Sequence, residues 1–129
     1  MATIGFIGAG NMGFAMLKGA LQIFGKEELT YTDLNKERLE EVKKETGVEY
    51  STDYHAMIKE IKYLVLAVKP QHLENVLESI KEEISSEHVI IAIAPGIEIS
   101  YYQTYFGKDT KIVRAMPNTP ALVNEGMSG

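Results

Sequence analysis

Short, almost wholly apolar runs alternate along this chain with longer stretches in which apolar residues return every three or four positions. That rhythm predicts parallel strands joined by crossover helices, because strands covered on both faces read as continuous apolar runs and amphipathic helices cover them. The first strand is expected over residues 3–7, followed by a helix over 12–24 that Gly25 closes. A second strand falls at 29–32, and Asn35 can cap a second helix whose Leu39 and Val42 face the sheet and which Gly47 ends. Residues 48–51 read as a short third strand, and Asp53 as the cap of a short helix over 56–60. The run 63–68 is a central strand, and Pro70 suits the first turn of a helix whose buried stripe is Leu73, Val76, Leu77, Ile80 and Ile84. A fifth strand is expected over 89–94, stopping at Pro95 and Gly96. Ser100 with Gln103 forms a capping box for a helix that ends near Gly107. A sixth strand, 112–115, leads into the irregular sequence Met116, Pro117, Asn118, Thr119, Pro120.

With 129 residues, 45% of them hydrophobic, the chain can bury one core and is too short for two ordinary domains, so residues 1–129 read as one domain. A formal net charge of -5, without any run of Lys or Arg, argues against a nucleic-acid or anionic-membrane surface. Any phosphate must then be held by local N–H groups and single cations. The absence of Cys removes thiolate nucleophiles, zinc–thiolate sites and disulfides. His55, His72 and His88 are scattered without metal-ligand spacing, so no metal is expected. The apolar runs fall short of the roughly 20 residues that span a bilayer, and no basic stretch precedes an apolar leader, which makes a soluble, cytoplasmic location the expectation.

The sequence most specific for function is Gly8, Ala9, Gly10, Asn11, Met12, Gly13, a G-x-G-x-x-G turn between the first strand and the first helix. In such a turn the first glycine permits the tight bend, the second admits a pyrophosphate close to the backbone, and the third lets helix and strand approach. The helix N-terminus supplies N–H groups and a positive dipole end to the phosphates. Asp33 ends the second strand, at the spacing where an acid binds the adenosine ribose. The fold class is therefore α/β, a Rossmann-type, doubly wound, mostly parallel sheet with helices on both faces. Ligands of such sheets lie beyond the carboxyl ends of the strands. Besides the glycine turn, Ala67, Val68, Lys69 and Pro70 fall there, as do Ala94, Pro95 and Gly96, and the 116–120 segment.

Taken in order, the glycine turn, Ala67-Val68-Lys69-Pro70, a small-residue turn and the segment Arg114 to Met127 resemble the N-terminal, dinucleotide-binding part of pyrroline-5-carboxylate reductase along the whole chain. The resemblance implies reduction of 1-pyrroline-5-carboxylate to L-proline by hydride from NADH or NADPH, the last step of proline biosynthesis. It assigns the pyrophosphate to residues 8–13, the ribose and nicotinamide end to Ala67, Val68 and Lys69, the carboxamide end to Ala94, and a place beside nicotinamide and substrate to Asn118. The bland alternative for Lys69 is a solvated lysine at a helix start. No residue stands out as a catalytic acid or base.

Two departures bear on the cofactor. Where the family often has Ser-Asn-Arg after the second strand to hold a 2′-phosphate, this chain has Thr32-Asp33-Leu34, which favours the ribose diol of NADH; Lys36 and Arg38 are near enough in sequence to compensate. Pro95 stands where the family usually has Ala, removing one backbone N–H. The resemblance further implies a helical domain that forms a homo-oligomer and completes the pocket for a small imine substrate. On that reading residues 1–129 are truncated and inactive alone. Rival readings are another imine or β-hydroxyacid reductase, or a nucleotide-binding module without hydride chemistry.

Overall fold

A computed structural model describes residues 3–93 and 97–115. Five parallel strands, β1 (Ile4–Ile7), β2 (Leu29–Thr32), β3 (Tyr63–Leu66), β4 (Val89–Ala92) and β5 (Lys111–Arg114), form one sheet in the order β2-β1-β3-β4-β5. Five helices connect them: α1 (Asn11–Ala20), α2 (Lys36–Thr46), α3 (Tyr54–Glu60), α4 (Pro70–Ile80) and α5 (Ile99–Phe106). The register is continuous across the sheet, with Ile7 opposite Thr32 on one side and Leu66 on the other, and Leu66 opposite Ala92. Strand order reverses at β1, whose neighbours β2 and β3 lie on opposite sides, so a crevice opens beyond the carboxyl ends of β1 and β3.

Alternation along each strand divides the core into two layers. Phe6 and Val65 join Leu17, Tyr31, Leu39 and Val42 under α1 and α2. Ile7, Leu64 and Leu66 join Met57, Ile58, Leu73, Leu77, Ile80 and Tyr102 under α3, α4 and α5. This is the doubly wound arrangement expected from the sequence, with period two in the strands and the 3.6-residue period in the helices. Tyr31, fully buried, donates its hydroxyl to the Leu39 carbonyl at 2.7 Å. Burial, helped by the nearby Tyr50, Glu40 and Glu49, raises the pKa of that hydroxyl above its ordinary value.

Four local expectations change. Regular α1 ends at Ala20, and a looser turn in which Phe24 donates to Ala20 at 2.8 Å carries the chain to Gly25; Gly25 has φ -69° and is no left-handed cap. A 3-10 turn, Lys26–Glu28, then leads into β2. Residues 48–51 form no strand, because the single parallel bridge Tyr31–Tyr50 is all that fits between Gly47, which ends α2 at φ 76°, and the turn at Ser51–Asp53. That bridge marks the outer edge beside β2 where the commonest dinucleotide-binding strand order has a further strand. Ser100 does not cap α5: Glu98 is the N-cap and Ser100 lies one residue inside the helix start. The remaining caps follow the sequence, Asn35 accepting from Glu37 and Arg38 N–H and Asp53 from His55 N–H.

Candidate functional site

A cleft of about 560 Å³ lies at the reversal of strand order. Its floor is the turn after β1, with Gly8 and Gly10; one wall carries Asp33, Leu34, Asn35 and Arg38 from the end of β2 and the start of α2. The opposite wall carries Ala67, Val68, Lys69, His72 and Val76 from the end of β3 and from α4, and Thr52, Asp53 and Tyr54 close one end. Strand ends deliver these residues together because β1, β2 and β3 are paired in register and all run toward this edge.

The three glycines of the turn have three different physical reasons. Gly8 sits at φ 103°, and a Cβ there would lie 2.6 Å from the Ala67 carbonyl oxygen. Gly13 is in α1, where a Cβ would come within 2.2 Å of the Gly8 carbonyl oxygen. Gly10 has φ -70°, open to any residue, and a Cβ there would meet nothing within 4 Å among the described residues. Neither backbone shape nor packing among the described residues requires a glycine at position 10. Its missing side chain leaves room on the cleft side of the turn.

Four helices border the cleft, and their N-termini differ. Those of α2 and α3 are satisfied by the side chains of Asn35 and Asp53. Those of α1 and α4 have no side-chain cap among the described residues; Gly10 is the N-cap of α1, and Lys69, followed by Pro70, is that of α4. The first helical bond of α1 runs from Phe14 N–H to Gly10 C=O at 2.8 Å, so the amides of Asn11, Met12 and Gly13 have no partner within the helix. Free amides at a helix start, with the positive end of the helix dipole, are a setting that suits an anion.

Asp33 and Arg38 both reach back to the turn. One Asp33 carboxylate oxygen accepts the Ala9 N–H at 2.6 Å and the other accepts the Asn35 N–H at 2.9 Å. Arg38 donates Nε–H to the Ala9 carbonyl at 2.6 Å, its guanidinium lies 4.9 Å from the Phe14 ring centre, and Nη1 meets Glu41 at 3.3 Å.

Of the residues singled out in the sequence, Gly8, Gly10, Asp33, Ala67, Val68 and Lys69 line the cleft. Ala9 is buried behind it, Gly13 is buried in α1, and Asn11, Met12 and Pro70 are exposed without lining it. Ala94, Pro95, Gly96 and Asn118 lie outside the described residues. The sequence reading missed Thr52, Tyr54, His72 and Val76 as cleft residues and saw Asp53 only as a cap. Nothing in the 52–54 segment signals a wall, since its place depends on how α3 packs. His72, two residues past Pro70 in the first turn of α4, was the one that Lys69-Pro70 could have indicated. Among the described residues no group of carboxylates and histidines could hold a metal ion, and no helix is long and apolar enough to cross a membrane.

A reversal of strand order opening onto a glycine turn, with an uncapped helix behind it, defines a dinucleotide-binding domain of the Rossmann class. More narrowly, the chain belongs to the family described as NADP oxidoreductase, coenzyme F420-dependent, which it matches over residues 3–96. It is 41% identical over 128 residues to a pyrroline-5-carboxylate reductase of Methanosarcina acetivorans, covering 98% of this chain and 47% of that protein. Among solved structures, a pyrroline-5-carboxylate reductase from Coxiella burnetii superimposes with TM-score 0.85 at 30% identity, covering 93% of this chain and 45% of that one. The Plasmodium falciparum pyrroline carboxylate reductase, solved with NADP bound, gives TM-score 0.80 at 34% identity, covering 96% and 45%. The chain spans about half the length of these relatives.

Proposed function

We propose that this chain is the cofactor domain of a reductase that delivers hydride from NADH or NADPH to the C=N carbon of 1-pyrroline-5-carboxylate, forming L-proline in proline biosynthesis. The observation that carries the reading is Gly10: a glycine that, among the described residues, neither dihedral angle nor packing requires, on the floor of the cleft and at the mouth of a helix without a side-chain cap. A pyrophosphate needs both the missing Cβ and the open amides. The cofactor's phosphates would sit over the 8–13 turn, its adenosine ribose toward Asp33, and its nicotinamide end toward Ala67, Val68 and Lys69, with Ala94 and Asn118 assigned there by the resemblance. The bound cofactor supplies the hydride. The chain's own residues bind and orient it, which is what a hydride transfer asks of the protein.

The finer reading is a preference for NADH. Asp33 and Asp53 place two carboxylates on the cleft, and Leu34, 78% exposed, offers no charge where a 2′-phosphate would need one. Asp33 has one bond to each oxygen and keeps acceptor capacity for ribose hydroxyls. Arg38 is the observation that favours NADPH instead, since it lines the same wall. The setting of this reaction is the cytoplasm, and the assembled enzyme is a homo-oligomer acting on a small imine acid, without nucleic-acid or membrane partners. Titration of the chain with NADH and NADPH tests the cofactor reading. An assay of the full-length reductase with pyrroline-5-carboxylate tests the reaction, and absence of proline formation would refute it.

A further inference from the structure

Arg38 is remote from the glycine turn in sequence, yet its Nε–H donates to the Ala9 carbonyl at 2.6 Å across a separation of 29 residues. The amide on the other side of the same residue is held by Asp33 at 2.6 Å across 24 residues. Ala9, 2% exposed, is thus gripped at both its N–H and its C=O by a carboxylate and a guanidinium from another strand end and another helix. We infer that Arg38 is a positioning residue for the cofactor: with Asp33 it clamps Ala9 so that the turn stands in its phosphate-binding shape before any ligand arrives. The inference rests on the cofactor reading above and assigns Arg38 a role other than reading a 2′-phosphate.

Geometry favours the clamping role. Of the guanidinium's donors, Nε–H is committed to Ala9 and Nη1 faces Glu41 at 3.3 Å, while the guanidinium carbon lies 4.9 Å from the Phe14 ring centre. The Phe14 side chain belongs to the first full turn of α1, so Arg38 touches both the turn and the helix that the turn opens. Charge-assisted bonds to a backbone carbonyl are stronger and more directional than neutral ones, which suits a group that fixes a peptide plane. A side chain spent in this way sets affinity for every ligand that carries a pyrophosphate, whatever its 2′ substituent, by removing the cost of ordering the turn on binding.

The test uses the 1–129 chain with Arg38→Met, which keeps the reach and removes the donors, and Arg38→Lys, which restores one. Affinities for NADH, NADPH and ADP are measured by calorimetry, and amide exchange is followed at Ala9 and in β3. The clamp requires Arg38→Met to weaken all three ligands by a similar factor, about 5- to 30-fold, the range a contact of this size carries. It also requires faster exchange at Ala9 with β3 unchanged, and recovery of most of the affinity in Arg38→Lys. A loss confined to NADPH would overturn the clamp in favour of a phosphate contact. Destabilisation of the whole domain would show instead as faster exchange in β3 as well and would equally overturn it. Unchanged binding in Arg38→Met refutes the clamp alone, whereas no binding of any ligand by the unaltered chain removes the cofactor reading and the clamp together.

Discussion

Replacing each of the three turn glycines by alanine should separate what the fold needs from what the ligand needs. In Gly13→Ala the new methyl would lie 2.2 Å from the Gly8 carbonyl oxygen and 3.2 Å from the Ala67 Cβ, so α1 must move off β1. Overpacking of this kind costs about 1 to 3 kcal/mol, and contact with a backbone oxygen puts it at the upper end. The gain in helix propensity on replacing glycine offsets about 1 kcal/mol of that. A net loss near 2 kcal/mol lowers Tm by roughly 8 °C for a domain of this size. Gly8→Ala should be at least as damaging, since φ 103° strains any side chain and the Cβ would sit 2.6 Å from the Ala67 oxygen. Gly10→Ala meets nothing within 4 Å among the described residues at an ordinary φ of -70°. There the reduced freedom of the unfolded chain contributes about 0.4 to 1 kcal/mol, and alanine's poorer N-cap character takes back a similar amount. Stability should therefore change by less than about 0.5 kcal/mol, while a methyl on the cleft floor weakens NADH by about 5- to 150-fold, the cost of 1 to 3 kcal/mol of crowding. Thermal melts with and without NADH measure both quantities at once, because a ligand that binds only the folded chain stabilises it by an amount that grows with the logarithm of its concentration over Kd. A Gly10→Ala chain that melts normally and is still protected by NADH like the unaltered chain would refute the assignment of the turn.

The same assays check three further expectations. The unaltered chain should bind NADH more tightly than NADPH, and Asp33→Ser with Leu34→Arg should move the ratio toward NADPH even though loss of the Asp33–Ala9 bond lowers both affinities; tighter NADPH binding by the unaltered chain would point to Lys36 or Arg38. His88, 8% exposed, accepts from the Ser85 N–H at 3.0 Å and donates to the Ile58 carbonyl at 2.9 Å, so His88→Leu should lose about 2 kcal/mol in urea unfolding, chiefly by leaving the buried Ile58 carbonyl without that partner. An unchanged urea midpoint would contradict that account of His88. Residues 1–129, spanning about half of their relatives, should bind cofactor yet reduce pyrroline-5-carboxylate negligibly beside the full-length reductase, because imine and nicotinamide must be held together for transfer; comparable steady-state turnover would show that this domain holds the whole site.

Sequence alone determined the features that depend on neighbours along the chain. Apolar runs at 4–7, 63–66 and 89–92 are strands because both faces are covered, and Leu73, Val76, Leu77 and Ile80 repeat at helical spacing because one face of α4 is. Asn35, Asp53 and Pro70 mark helix starts by chemistry that acts within one turn. The glycine turn was equally legible as a motif. What its three glycines do became clear only from their distances, two of them facing backbone oxygens and one facing open space. Tertiary structure also decided that residues 48–51 supply one bridge and no strand, that α5 starts at Ile99, and that Thr52, Tyr54 and His72 share a cleft with Asp33. The physical reason is the same throughout. Strand pairing and the cleft join groups distant in sequence, as do the bonds to Ala9 from Asp33 and Arg38 across 24 and 29 residues, and their meeting depends on how the helices settle on the sheet.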